Sequence, residues 1–290
     1  MNWEIREYSR NKHAIHYDIK AGEKAGIFIC SDLHWDNPKC DRKLLKEHFD
    51  KAKELGAPIF VNGDFFCAMQ GKYDPRRSKK DIRPEHNKTN YLDALVNTAV
   101  EWFEPYKDNL ALVGQGNHET GILKNCETDL LVRFVERFNY AYGAKLHAGG
   151  YGGHLALKMT QSTTTRGYVI KYFHGSGGGG PVTKGVIQNN RMATYIRGVD
   201  CITQGHVHQA YSHFDPVEVF DSKSMSVSKK NLLHLRTPTY KEEYEDQFGG
   251  WHVERGAPPK PLGGCYMHLE YHRVDDSRFV TASPEFWVTA

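Results

Sequence analysis

The sequence lacks the features that would place it in several specialised protein classes. No segment approaches the roughly 20 consecutive apolar residues that a membrane helix needs, so no membrane partner is expected. Residues 1–20 are rich in charged side chains and have no apolar core, which excludes a signal peptide of the usual kind. A cytoplasmic location is therefore the default expectation. The formal net charge of +3 is too small to predict a nucleic-acid partner by itself.

The cysteines also lack a spacing that would indicate a zinc cage or a disulfide framework. They form no C-x-x-C pair and show no short regular interval. Reduced thiols are expected. The cysteines are Cys30, Cys40, Cys67, Cys126, Cys201 and Cys265.

The overall composition is that of an ordinary globular protein. Hydrophobic residues make up 39% and charged residues 25%, which allows a sizeable buried core. Because no linker or internal repeat is visible, we interpret residues 1–290 as a single domain. Sixteen histidines stand out, since neutral imidazole is the commonest protein ligand for transition metals.

Short apolar runs alternate with helical patterns and predict an α/β fold. Each run ends in a polar cluster, and ligand sites in such sheets form beyond the carboxyl ends of the strands. We expect two sheets packed face to face with helices outside, and further β structure between residues 211 and 272. The predicted strands are 25–30, 58–61, 110–113, 168–173 and 199–203, and the predicted helices are 41–55, 91–103 and 184–197.

Five of these polar clusters carry metal-ligand side chains. Two divalent ions about 3.5 to 4 Å apart need a bridging carboxylate together with oxygen and imidazole ligands, and Asp64 is suited to bridge. Residues two apart on an extended chain project to the same side, so both members of each D-x-H or H-x-H pair are expected to reach one site. The clusters are Asp32-Leu-His34, Gly63-Asp64, Gly116-Asn117-His118-Glu119, His174-Gly175 and Gly205-His206-Val207-His208.

These clusters, taken in order, resemble the motifs of the calcineurin-like metallophosphoesterase superfamily: D-x-H, G-D, G-N-H-[DE], H and G-H-x-H. They span residues 32–208, and five independent matches make the resemblance specific. It implies a double β-sandwich flanked by helices. The segment after residue 235 also loosely resembles the tails of family members from phage and prophage genomes.

The resemblance assigns a role to each motif residue. Asp32, His34 and His208 would hold the first metal, and Asn117, His174 and His206 the second, with Asp64 shared between them. His118 would lie beside the substrate phosphate, where it would stabilise developing charge or protonate the leaving oxygen. The implied cofactors are two divalent ions, Mn²⁺ first with Fe or Zn as alternatives, and the implied nucleophile is a hydroxide that they activate. The other histidines, including His13, His147 and His234, are interpreted as surface or satisfied core groups.

Three segments outside the motifs have open interpretations. A basic insertion at 71–88, which includes Arg76 and Arg77, would bind substrate phosphates or be a solvated loop, with about equal support. The glycine-rich segment 175–181 would be a lid or a thin backbone wall beside the metals. The C-terminal tail, 235–290, is predicted to close the structure near the site.

The predicted activity is hydrolysis of a phosphate ester, with phosphodiesters such as DNA or a nucleotide favoured. A histidine after the Gly-Asn pair can assist the departure of a poor alkoxide leaving group. The exonuclease subunits of double-strand-break repair look similar but usually place a histidine where this sequence has Cys67. The alternatives are a phosphomonoesterase, a protein phosphatase, a mononuclear zinc hydrolase, and a non-catalytic binding protein that retains the fold.

Overall fold

The computed structural model describes residues 2–69, 82–180, 182–244, 253 and 256–289. The helices are α1 (Arg42–Glu54), α2 (Tyr91–Phe103), α3 (Asn117–Cys126), α4 (Leu130–Tyr142) and α5 (Val186–Ala193). The strands are β1 (Asn2–Ser9), β2 (Lys12–Ile19), β3 (Ala25–Cys30), β4 (Ile59–Asn62), β5 (Leu110–Gly114), β6 (His147–Ala148), β7 (Gly152–Gln161), β8 (Thr164–Phe173), β9 (Cys201–Gln204), β10 (Tyr211–Asp221), β11 (Ser226–Arg236), β12 (Gly263–Val274) and β13 (Ser277–Val288). Within these ranges, no helix is long and apolar enough to cross a membrane.

The strands form two mixed sheets. One has seven strands in the order β1-β2-β7-β8-β9-β11-β10, and the other has six in the order β13-β12-β3-β4-β5-β6. Strands β3 to β6 are parallel, as are β8, β9 and β11, whereas the hairpins β1-β2, β7-β8, β10-β11 and β12-β13 are antiparallel.

The two sheets pack face to face, and helices cover their outer faces. Alternate residues of β3 point to opposite sides, so that Ile27 and Ile29 enter the core between the sheets while Phe28 enters the core under the helices. Helices α1, α2 and α4 pack on the six-stranded sheet, and α5 packs on the seven-stranded sheet. The predicted α/β fold, a double β-sandwich flanked by helices, is confirmed.

The strongly patterned elements match their predicted bounds. Helix α1 begins after Asp41, whose carboxylate accepts a hydrogen bond from the Leu44 amide at 2.9 Å, and it buries Leu45 and Phe49. Helix α2 spans the predicted residues 91–103.

Other elements differ from the prediction. The charged start of the chain forms the β1-β2 hairpin, and most residues of β1 are exposed, which explains why its strand signal was missed. Helices α3 and α4 were not predicted, although Asp129 caps α4 and its apolar residues follow helical spacing. Helix α5 is shorter than the predicted 184–197.

The topology places five strand ends at the same region of the molecule. Strands β3, β4 and β5 are parallel neighbours in one sheet, and β8 and β9 are parallel neighbours in the other. Because the carboxyl ends of parallel neighbours share an edge, the loops after these strands gather the motif residues.

Candidate metal centre

The motif residues lie in tight loops directly after the strands. Five of the motif residues other than glycine adopt positive φ angles. Non-glycine residues enter this region at a cost of about 1–3 kcal/mol, and such residues cluster at functional sites. The prediction that an extended chain aligns the members of each D-x-H or H-x-H pair was wrong in its mechanism, because left-handed turns bring them together. The φ values are 53° for Asp32, 45° for His34, 49° for Asp64, 71° for His206 and 55° for His208.

One group of side chains comes from the loops after β3 and β9. Asp32, His34 and His208 each offer a ligand atom, and these atoms lie within 4.8 Å of one another. Asp32 Oδ1 is 3.3 Å from His208 Nε2. The structure thus brings together the three residues predicted to hold the first metal.

A second group comes from the loops after β4, β8 and β9. The ligand atoms of Asp64, His174 and His206 also lie within 4.8 Å of one another. Asn117, the first residue of α3, places its side-chain oxygen 3.3 Å from His174 Nε2. The residues predicted to hold the second metal are therefore also neighbours.

Asp64 lies between the two groups. Its Oδ2 atom is 3.1 Å from His174 Nε2 in the second group and 4.0 Å from His34 Nε2 in the first. Asp32 approaches from the other side, with Oδ1 3.9 Å from His174 Nε2. This is the position that a bridging carboxylate requires.

Backbone hydrogen bonds fix the orientation of these side chains. The Nδ1–H of His174 donates to the Asn62 carbonyl at 2.9 Å, so Nε2 faces the site. The His206 amide donates to Asp32 Oδ2 at 2.9 Å, and the His118 amide donates to Asp64 Oδ1 at 3.0 Å. Each carboxylate is thus held by the loop of another strand.

The two buried carboxylates of the site, Asp32 and Asp64, favour a positive charge next to them. Burial alone would lower the pKa of His174, but the carboxylates of Asp64 and Asp32 outweigh it and raise this pKa to about 10. Burial keeps the pKa of His34 well below its usual range, with the neighbouring His118 adding to the effect. The buried carboxylates thus draw a cation, and His34 is neutral as a metal ligand must be.

The residues fit two divalent ions. Asp32 Oδ1 and both ring nitrogens of His34 are buried, and no hydrogen-bond partner for them exists among the described residues. Burying a polar atom without a partner destabilises the folded protein, so an unpaired buried atom indicates a bound water molecule or ion. Carboxylate and imidazole ligands bind zinc-like ions at about 2.0–2.2 Å, which agrees with ligand atoms 3 to 4 Å apart. Asp32, Asp64 and Asn117 would supply the oxygens, and His34, His174, His206 and His208 the nitrogens.

His118 lies beside this centre. Its Nε2 atom is 3.9 Å from Asp64 Oδ2, and its Nδ1 hydrogen-bonds the carbonyl of Cys67. A carbonyl accepts hydrogen bonds, so Nδ1 carries a proton, and Nε2 is the atom that exchanges a proton with solvent or substrate. The Nε2 atom therefore faces the metal centre and is available to transfer a proton to a bound substrate.

Two buried carboxylates support the loops and were given no role from the sequence. Glu119 accepts hydrogen bonds from the amides of Phe66 and Gly116, both at 2.8 Å. Burial, together with the nearby charge of Asp64, raises the pKa of Glu119 to about 8. Asp36 accepts hydrogen bonds from the amides of Cys67 and Ala68 and so fixes the carbonyl that orients His118.

Arg236 is a further buried support that the sequence analysis placed in the tail without a role. Its guanidinium donates to the Gly205 carbonyl at 2.7 Å, next to His206, and to the Gly185 carbonyl at 3.0 Å. The available signal was its position directly after Leu232, Leu233 and Leu235, which indicate a buried strand. An arginine is rarely buried unless several partners bind it, and this was not visible in the sequence.

The three segments outside the motifs, namely the basic insertion, the glycine-rich segment and the C-terminal tail, are described by the structure to different extents. Arg76, Arg77 and most of the basic insertion lie outside the described residues. A Cβ atom at Gly175 would lie 2.7 Å from the Cβ of His206, which favours the thin backbone wall over the lid. Tyr240 of the tail is buried, and its hydroxyl contacts His48 Nδ1 at 2.8 Å, so it packs in the core beneath the site.

Gly116 provides a test of how tightly the loops pack. A Cβ atom there would lie 2.0 Å from Asp64 Oδ1 and 2.3 Å from the Asp64 amide nitrogen. Gly116→Ala is therefore expected to destabilise the protein by about 1–3 kcal/mol and to weaken metal binding. Gly121→Ala is the matched control in α3, because open space surrounds that position and alanine favours a helix by up to about 1 kcal/mol. Urea unfolding measures the stability of both variants, and metal titration measures their affinity for the ions. Equal stability and equal metal affinity in the two variants would contradict the prediction.

Comparison with known proteins adds two distant structural likenesses. No family model matches the sequence, and no curated protein matches it. Vacuolar protein sorting 29 from Cryptosporidium parvum is 12% identical, with 91% of this chain and 98% of that chain covered and a TM-score of 0.37. GAP50, the anchor in the inner membrane complex of Plasmodium, is 12% identical, with 91% and 84% covered and a TM-score of 0.40.

Proposed function

We propose that the protein is a metal-dependent phosphoesterase with a dinuclear centre, and that phosphodiesters are its preferred substrates. The observation that carries this proposal is the pair of ligand groups around Asp64, each with ligand atoms within 4.8 Å. When bound, two divalent ions would polarise the phosphoryl oxygens and lower the pKa of a water molecule to about 7. Mn²⁺ is the favoured ion, with Fe or Zn as alternatives, since each accepts mixed oxygen and imidazole ligands.

The protein's own residues would hold and orient the reacting groups. Asp64 and His174 would hold the ions, and backbone hydrogen bonds orient both side chains for this role. His118 would place a proton on the leaving oxygen through Nε2, while Nδ1 stays bonded to the Cys67 carbonyl. A proton donor matters most for an alkoxide leaving group, which a nucleotide or DNA diester presents. This is why we favour diesters over monoesters.

Metal removal tests the proposed activity. Dialysis against a chelator is expected to abolish hydrolysis of bis-p-nitrophenyl phosphate, and added Mn²⁺ is expected to restore it. Ca²⁺ is the control ion, because it prefers all-oxygen shells and should not restore activity in a site rich in imidazole. Elemental analysis of the reactivated protein should find both ions; one ion per chain would indicate the mononuclear alternative.

The substrate class is tested with the reactivated protein. Single- and double-stranded DNA, cyclic nucleotides, bis-p-nitrophenyl phosphate and p-nitrophenyl phosphate are compared with Mn²⁺ present. We expect kcat/KM to be higher for the diesters than for the monoester. A preference for the monoester would leave the metal centre intact and overturn the diester assignment, and inactivity on the whole panel would favour a binding protein.

A further inference from the structure

A second cluster of metal-ligand side chains lies away from the site described above and shares no residue with it. Glu7 of β1, His13 of β2 and His147 of β6 each offer a ligand atom, and these atoms lie within 4.8 Å of one another. Strand β1 is the edge of the seven-stranded sheet, and β6 is the edge of the six-stranded sheet. The cluster therefore connects the two sheets at their edges.

His13 corrects the interpretation that the remaining histidines are surface or satisfied core groups. Its side chain is only 3% exposed, yet neither ring nitrogen has a hydrogen-bond partner within the part of the chain that the structure describes. A buried, unpaired polar group costs about 1–3 kcal/mol. Burial also lowers the pKa of His13 to about 4, so its ring is neutral near pH 7 and has a free lone pair.

The surrounding backbone holds the strands that carry the cluster in place. Glu7 is the direct cross-strand partner of His13, and the pairing register shifts between Glu7 and Ser9. Such an irregularity redirects the neighbouring side chains. The Gly150 amide donates to the Arg10 carbonyl at 3.1 Å, which ties the β1-β2 turn to the chain just after β6. The two strands that carry Glu7 and His13 are thus fixed relative to β6.

His147 is positioned from the opposite side by α4. The side chain of Asn139 accepts a hydrogen bond from the Leu146 amide at 3.0 Å and donates one to the Leu146 carbonyl at 2.8 Å. His147 Nδ1 then lies 2.9 Å from Glu7 Oε2. A surface cavity of about 630 Å³, lined in part by Glu7, Arg10 and His147, gives water access to the cluster.

We propose that Glu7, His13 and His147 bind a zinc ion that joins the edges of the two sheets. Two imidazoles and one carboxylate form a zinc ligand set that leaves a fourth position for water, which the cavity supplies. Tetrahedral bonds of about 2.0–2.1 Å place ligand atoms about 3.3 Å apart. The ligand atoms of the cluster lie within 4.8 Å of one another, so no separation has to close by more than about 1.5 Å. The partly exposed side chains of Glu7 and His147 have the freedom to make this movement.

Zinc stoichiometry tests this site independently of the catalytic proposal. Chelator-treated protein is equilibrated with zinc, passed through a desalting column and analysed for zinc by mass spectrometry. We expect His13→Gln and Glu7→Gln to retain one zinc per chain fewer than the unmodified protein. His154→Gln, a change to a histidine of the neighbouring strand β7 that is outside the cluster, should retain the same amount. Glu7 is partly exposed, so Glu7→Gln stays informative if His13→Gln does not fold.

Two further measurements complete the test. Zinc should raise the Tm of Asp64→Ala, in which the dinuclear centre is disabled, and should not raise the Tm of the Asp64→Ala, His13→Gln double variant. Hydrolysis of bis-p-nitrophenyl phosphate with Mn²⁺ should be unchanged in His13→Gln. Equal zinc content in His13→Gln, Glu7→Gln and the unmodified protein would overturn the proposal and leave the cluster as a hydrogen-bonded Glu7–His147 pair beside the buried ring of His13.

Discussion

Replacing Asp64 with alanine is expected to release both metal ions and to lower kcat/KM for bis-p-nitrophenyl phosphate by about 1000-fold or more. Asp64 Oδ2 is the atom that lies between the two ligand groups, 3.1 Å from His174 Nε2 and 4.0 Å from His34 Nε2. Each tenfold loss in rate corresponds to about 1.4 kcal/mol, and bound metals supply several kcal/mol of charge stabilisation. Without the Asp64 carboxylate, each proposed ion would lose one of its ligands.

The measurement is metal content and steady-state kinetics on the same preparation. Asp64→Asn is a useful second variant because it keeps the shape of the side chain and an oxygen that can accept the His118 amide. Asp221→Asn, at an exposed turn, is the control for the loss of one carboxylate. Circular dichroism establishes that each variant is folded. Retention of both ions by folded Asp64→Ala would remove the basis of the dinuclear proposal.

The convergence of the motif residues could be predicted from the sequence because the relevant signals are local. The run Ala25–Cys30 is a buried strand in the structure, and the polar residues that follow it fall at the sheet edge, as expected for parallel neighbours. The same reasoning applies to β4, β5, β8 and β9. The length and apolar character of each run, together with the polar cluster that follows it, were sufficient to predict where these strands end.

The conformation of the loops was not accessible in the same way. The sequence suggested an extended Asp32-x-His34 pair, whereas both residues have left-handed φ angles of 53° and 45°. Non-glycine residues seldom adopt this conformation, and the surrounding contacts impose it here. The Asp32 amide donates to the Gly63 carbonyl at 3.0 Å and the His34 amide donates to the Asp64 carbonyl at 3.0 Å, so the loop after β3 takes its shape from the loop after β4.

The supporting residues were missed because their role depends on contacts between distant parts of the chain. Arg236 reaches the carbonyl of Gly205 and the side chains of Asn189 and Gln204. The unpaired ring of His13 is likewise visible only once β1, β2 and β6 are assembled. A sequence pattern indicates whether a segment is a helix, a strand or a turn. It does not show which side chains from distant segments will contact one another.

Replacing His118 with alanine is expected to slow the chemical step while both metal ions stay bound. The side chain contributes no ligand atom to either group around Asp64, and alanine keeps the backbone amide that donates to Asp64 Oδ1. General acid catalysis raises the rate of the chemical step by about 100- to 10,000-fold. The effect is largest when the leaving group is a poor one, because such a group departs only after it receives a proton. The loss in kcat should therefore depend on the substrate.

Two diesters that differ in their leaving groups measure this dependence. For a dinucleotide, whose leaving group is an alkoxide, kcat of His118→Ala should fall by about 100-fold or more. For bis-p-nitrophenyl phosphate, whose p-nitrophenolate departs without a proton, the fall should be much smaller. His118→Gln tests whether a neutral side chain of similar length can replace the imidazole, and His154→Ala is the control for loss of a histidine. An equal loss on both substrates would assign His118 to phosphate binding and exclude it as the proton donor, because a group that only stabilises charge on the phosphate acts on both esters alike.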